Sequence, residues 1–124
     1  MKTLLLSTTI RRADLARIWY LFVKNGSWDG KQIVTPEWVK MSTTPAVDVG
    51  GRGTGIKYGL KWWLYPYGDG TKYAWAGSGF GGQVPMAFPD EDLVVVFNAW
   101  NVPPVNRGIP RQAIFDNVLG AIVK

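Results

Sequence analysis

Gln83-Val84-Pro85-Met86-Ala87-Phe88, then Pro89-Asp90-Glu91-Asp92, then Leu93-Val94-Val95-Val96-Phe97: two apolar runs flank a proline-led acidic turn. Short apolar runs bounded by turn formers read as consecutive antiparallel strands. Leu93 to Phe97 is apolar at every position, which predicts a strand buried on both faces. Working back toward the N-terminus, Lys72 to Ala76 forms another strand, preceded by a turn at Pro66 and Gly68-Asp69-Gly70. Before that turn Tyr58, Leu60, Trp62 and Leu64 alternate with Gly59, Lys61, Trp63 and Tyr65, the two-residue period of a strand. Strands are therefore expected at about 58–65, 72–76, 83–88 and 93–98.

Outside this region the period changes to helical. Leu15, Ile18, Trp19, Phe22 and Val23 fall on one face of a 3.6-residue repeat. Thr8 or Thr9 can cap that helix and Asn25-Gly26 can end it, giving a helix over 9–25. Ser27 to Val34 reads as a turn segment around Asp29-Gly30. Thr35-Pro36-Glu37-Trp38 then opens a shorter helix, 36–42, with Thr as cap, Pro in the first turn and Glu at the positive end. Residues 43–56, rich in glycine, read as a loop. Pro103-Pro104 ends the last strand, and Ile114, Phe115, Val118, Leu119 and Ile122 stripe a final helix over 110–123. The fold class is α+β: an antiparallel meander of three or four strands flanked by N-terminal and C-terminal helices, with residues 1–124 as one unit. A sheet buried on both faces needs cover on both, so the first helix must supply the second layer or that layer is missing.

Composition narrows the chemistry. With 47% hydrophobic and 19% charged residues among 124, the chain has the makings of a core and is not a disordered segment. The net charge of +5 is spread from Lys2 to Lys124 with no run beyond Arg11-Arg12, which predicts a solvated surface and no nucleic-acid partner. The chain has no Cys and no His. Disulfides, thiolate metal sites and Ser-His-Asp or Cys-His catalysis within the chain are thereby excluded, and acid–base work falls to Lys, Tyr or carboxylates. Asp90-Glu91-Asp92 reads as a solvated turn, because calcium loops alternate their ligands. No metal and no cofactor are implied. Met1 to Leu6 is too short an apolar stretch for a secretion signal, and no segment is long enough to span a membrane.

The densest information lies in Trp75-Ala76-Gly77-Ser78-Gly79-Phe80-Gly81-Gly82-Gln83, where four glycines between two strands let another backbone or a ligand approach closely. From spacing alone, a glycine-rich hairpin or bulge explains the same residues. The surrounding text carries a resemblance. Arg12-Ala13-Asp14-Leu15-Ala16-Arg17 is similar to a helix of the serine β-lactamase and penicillin-binding-protein-like superfamily. Gly30-Lys31-Gln32-Ile33-Val34 with Pro36-Glu37-Trp38-Val39 resembles the segment that follows it. Tyr58-Gly59-Leu60-Lys61-Trp62-Trp63 resembles the family's YGxGWW strand, and Gly79 to Gln83 with Phe88 to Val96 resembles its GxGGQ…PxxDLVVV hairpin. The stretches occur in the family's order.

That resemblance implies a partial β-lactamase-like domain of the esterase-like branch, acting on a small-molecule ester or amide through an acyl-enzyme. Such a site needs a Ser-x-x-Lys nucleophile, a Tyr-x-Asn-like element and a Lys-Thr-Gly-like strand edge supplying an N–H to the oxyanion. The serines here are Ser7, Ser27, Ser42 and Ser78, and none has Lys three residues later; no Tyr has Asn or Ser two residues later. Catalytic residues are therefore expected in a missing N-terminal half of the domain, the chain's expected partner, and the chain alone is expected to be inactive. Trp75-Ala76-Gly77 takes the Lys-Thr-Gly place, followed by Ser78 and Gly79, with the Ser78 N–H as oxyanion donor. The exchange of Lys for Trp removes a cation and offers a flat apolar face, which favours esterase or amidase chemistry over a true β-lactamase. Two other readings stay open: an aromatic-rich binding module for a glycan or anionic polymer, and an interaction protein pairing through an open sheet edge.

Overall fold

A computed structural model describes residues 10–79, 82–98 and 111–122. Helix α1, Arg12–Val23, starts without a side-chain cap: Arg11 holds the N-cap position, and the proposed caps Thr8 and Thr9 lie outside the described residues. The helix is thus shorter than the expected 9–25. Asp14 in its first turn pairs with Arg11 at 2.8 Å and Arg17 at 2.6 Å, and its carboxyl is held below its ordinary value chiefly by the Arg11 hydrogen bond. Asn25-Gly26 ends α1 as expected, both residues taking positive φ.

Ser27 to Val34 is a hairpin of β1, Ser27–Trp28, and β2, Lys31–Gln32. Its two turn residues, Asp29 and Gly30, have φ of 48° and 73°, the backbone twist that two-residue hairpins need. Helix α2, Pro36–Thr43, follows, and the Thr35 hydroxyl accepts from the Trp38 N–H as the cap expected there.

The remaining strands form one six-stranded antiparallel sheet in sequence order: β3, Val47–Asp48; β4, Lys57–Tyr58; β5, Trp63–Tyr67; β6, Lys72–Ala76; β7, Val84–Phe88; and β8, Leu93–Phe97. The meander has six strands rather than three or four for two reasons, and its fifth element also runs further than expected. Residues 43–56 contain β3, too short to show a period. The expected strand 58–65 is two strands around a tight turn, in which the Gly59 N–H donates to the Trp62 carbonyl at 2.9 Å and Lys61 takes φ of 75°. A Cβ on Gly59 would lie 2.3 Å from the Ser42 carbonyl oxygen, so glycine lets this turn sit directly on the end of α2. Finally, Pro66 lies within β5 rather than in the turn: the ladder to β4 stops at Leu64, so that side of Pro66 has no partner to disappoint.

Burial corrects a further expectation. β8 is half-buried along its whole length because it ends the described sheet, whereas all five residues of β7 are buried. Pro85 faces β6 in that central strand: its carbonyl accepts from the Gly77 N–H at 2.9 Å, and the N–H that proline lacks falls just past the last paired residues, Ala76 and Met86. One sheet face carries Tyr65, Tyr67, Ala74, Ala76, Val84, Met86 and Phe88, packed under Ile114, Phe115, Val118 and Leu119 of the C-terminal helix. Phe115 meets the Phe88 ring edge-on at 5.5 Å. This helix runs from Arg111 through Ala113, widens to a π-helix over Ile114–Leu119, and closes with Gly120–Ile122; Pro110, Pro103 and Pro104 lie outside the described residues. The opposite face lies against α1, so the second layer is present. Among the described residues, no helix is long and apolar enough to cross a membrane.

Candidate functional site

The glycine-rich segment leaves β6 without leaving the sheet. The Gly77 N–H donates to the Pro85 carbonyl and the Gly79 N–H to the Gln83 carbonyl, each at 2.9 Å. Successive N–H groups of an extended chain alternate sides. The Ser78 N–H therefore points away from β7, toward the β5 side, where β5 begins opposite Ala76 and goes no further. Ser78 is exposed, and its N–H has no backbone partner among the described residues. Gly77 is confined: a Cβ there would lie 3.1 Å from Pro85 Cγ and 3.1 Å from Trp19 Cζ2.

Side chains alternate in the same way. Ser78 shares a face with Ala76 and the C-terminal helix, and its hydroxyl oxygen accepts from Arg111 Nη2 at 3.2 Å. The Arg111 guanidinium stacks 4.9 Å over the Tyr65 ring. Burial pushes the Tyr65 phenol above its ordinary 10.0 against the opposing field of Arg111, so it stays protonated at neutral pH. A guanidinium donates but does not accept protons, and a neutral phenol is a poor base. Among the described residues, Ser78 thus has no group beside it that would activate its hydroxyl for attack.

Trp75 leaves the strand on the other face. Its ring lies 6.3 Å from Trp62, which packs on Trp19 at 5.1 Å and Phe22 at 4.8 Å, and the Trp75 carbonyl accepts from the Trp19 indole. Of the predicted strand residues, Ala76 is fully buried and Gly77 half-buried, while Ser78 and Gly79 are exposed. Trp75 and the Ser78 hydroxyl therefore belong to opposite sides of the sheet. Trp62 and Trp63 are both packed, Trp63 stacking on Tyr65 at 6.4 Å; Trp100 and Phe80 lie outside the described residues. Beside the Trp cluster, Ile18, Trp38, Leu60 and Trp62 line an apolar groove of about 240 Å³.

The acidic turn is less solvated than its composition suggests. The Glu91 side chain is only 12% exposed; it accepts from the Tyr67 hydroxyl at 2.5 Å and pairs with Lys72 at 3.2 Å. Burial, reinforced by Glu91, drives the Tyr67 phenol far above its ordinary value. This cluster sits at the opposite end of β5 and β6 from Ser78, and tyrosine and lysine beside the carboxylate account for it as a structural tie. Among the described residues, no group of three His, Cys, Asp or Glu is placed to hold a metal ion. Arg111 was missed in the sequence, being 33 residues from Ser78 with no motif around it.

No protein-family model matches this chain, and no curated protein sequence matches it.

Proposed function

We propose that this chain is the C-terminal part of a β-lactamase-related serine hydrolase acting on ester or amide bonds. It supplies the strand that holds the substrate carbonyl, and the nucleophilic Ser-x-x-Lys lies on an N-terminal half. The observation that carries this reading is the Ser78 N–H. Hydrogen bonding of Gly77 to Pro85 and of Gly79 to Gln83 turns it outward at an exposed strand end, as an oxyanion donor must be turned. Among the described residues, the lack of a base beside the Ser78 hydroxyl supports a positioning strand over a nucleophile. Two surfaces suit an upstream half: the outer edge of β8, unpaired among the described residues, and the apolar groove with exposed Trp38 and Leu60.

Reconstitution tests it. The 124-residue chain, mixed with the polypeptide encoded in frame upstream, is expected to restore labelling of an upstream Ser by a fluorophosphonate, with neither part labelled alone. Ester turnover by the purified chain alone, abolished by Ser78→Ala, would sink the proposal. So would an upstream polypeptide with no Ser-x-x-Lys.

The groove favours a second reading, an aromatic binding module, because Trp38 and Trp62 share its wall. Retention on immobilised polysaccharide, lost in Trp38→Ala, is the outcome that reading requires.

A further inference from the structure

The loop joining β3 to β4 turns its carbonyls inward and leaves its amides outward. Val49 and Gly50 both donate to the Ile56 carbonyl, at 3.2 and 3.4 Å. Thr54 then ties down the acceptors: its hydroxyl is shared between the Gly50 and Gly51 carbonyls, and its N–H donates to Gly51. Glycine at position 50 permits this closure, since a Cβ there would lie 2.4 Å from the Thr54 hydroxyl oxygen and 2.6 Å from Ile56 Cβ. The N–H groups of Gly51, Arg52, Gly53 and Gly55 take no acceptor among the described residues. Gly53 and Gly55 have φ of 86° and 67° while Arg52 and Thr54 stay negative, and alternation of this kind gathers amides into an anion-binding concavity. These residues line an open cavity of about 630 Å³. Lys57 and Asp48 also line it, but they pair with each other, so the guanidinium of Arg52 is the unmatched charge there among the described residues.

We propose that the Gly50–Gly55 loop is a binding site for a phosphate group, held by its outward amides and by Arg52. Donors spread over several backbone positions, joined by a guanidinium fork, match the three terminal oxygens of a phosphate better than the two of a carboxylate. The loop is a separate place from the Ser78 strand end. A Cβ on Gly55 would lie 3.1 Å from Pro66 Cγ, and Pro66 pairs with Tyr73, whereas Ser78 follows Ala76 beyond the Trp63 end of β5. The site goes beyond the hydrolase reading and does not depend on it.

The test titrates inorganic phosphate into the ¹⁵N-labelled full chain, with chloride at matched ionic strength and acetate as controls. Saturable shifts of the Gly51, Arg52, Gly53 and Gly55 amides are expected with phosphate, and none with chloride. Acetate is expected to bind more weakly. Glycerol 1-phosphate is the second arm: tighter binding than inorganic phosphate assigns the site to a phosphorylated small molecule, and equal binding assigns it to the free anion. Arg52→Gln, an exposed change, is expected to weaken phosphate about tenfold, the scale of a lost charge-assisted pair, and Arg52→Lys to recover part of it. Thr54→Val releases the two carbonyls toward the concavity and should weaken phosphate as well, with amide shifts confined to the loop showing that the fold persists. Absence of saturable shifts in the wild type, equal shifts with chloride, acetate binding as tightly as phosphate, or unchanged affinity in Arg52→Gln overturns the proposal. Fluorophosphonate labelling reads an upstream Ser and this titration reads the loop, so either can fail without the other.

Discussion

The indole N–H of Trp19 donates to the carbonyl oxygen of Trp75 at 3.2 Å, joining α1 to β6 across 56 residues. Among the described residues, α1 is the one helix packed on this face of the sheet, so the bond and the ring contacts around it anchor that layer. Trp19→Phe keeps most of the apolar area and loses the hydrogen bond, and should cost about 1 kcal/mol in urea unfolding. Trp19→Ala should cost about 3 kcal/mol, the low end for an aromatic truncation because the ring is half-buried. A wild-type urea midpoint for Trp19→Ala would show that α1 is not seated there.

Gly77 and Ser78 should respond in opposite ways. Gly77→Ala pushes a methyl against Pro85 and Trp19, and is expected to destabilise by about 1–3 kcal/mol. Ser78→Ala, at an exposed position, should change stability by no more than about 0.5 kcal/mol. Thermal melts of the two variants side by side check this; equal effects would contradict the placement of the segment.

Alkaline pH should unfold the chain through its buried tyrosines. The Tyr65 and Tyr67 phenols both have folded values raised above the ordinary 10.0, so both are neutral in either state below that pH and their contribution is fully present. Above about pH 10 the unfolded chain releases these protons first, and stability falls as pH rises. Tyr67→Phe should flatten that slope between pH 10 and pH 11, whatever its effect at neutrality. An identical slope in the variant would exclude Tyr67 as a source.

Apolar exposure predicts how the chain behaves by itself. Ile18, Trp38, Met41 and Leu60 are 42–53% exposed and line adjoining grooves that meet at Leu60. Alone, the chain should aggregate with rising concentration and melt below about 60 °C; a sharp, concentration-independent two-state melt above that would argue against an uncovered face.

The parts of the fold legible in the sequence are those with a local physical cause. The α2 cap was readable because Thr35, Pro36 and Glu37 each suit one position of a helix start, and β6 was found at Lys72–Ala76 because turn formers bound it. The turn at Gly59–Trp62 was hidden because alternating apolar residues look alike in a strand and across a tight hairpin. β8, expected to be buried on both faces, is half-buried because apolar character says that a strand is covered but not which neighbour covers it. For the site, the glycine spacing marked the strand end. Arg111 reaches Ser78 only because the C-terminal helix crosses the same sheet face, a relation between distant segments that no local pattern encodes.

The two ladder bonds from Gly77 and Gly79 also impose an arithmetic of parity on this corner of the molecule. Inserting or deleting one residue between Ala76 and Gly79 would exchange inside for outside, turning the donor at position 78 into the sheet and carrying its side chain to the Trp62 side, away from Arg111. Adding two residues would preserve both directions. Length in this corner can change only in even steps.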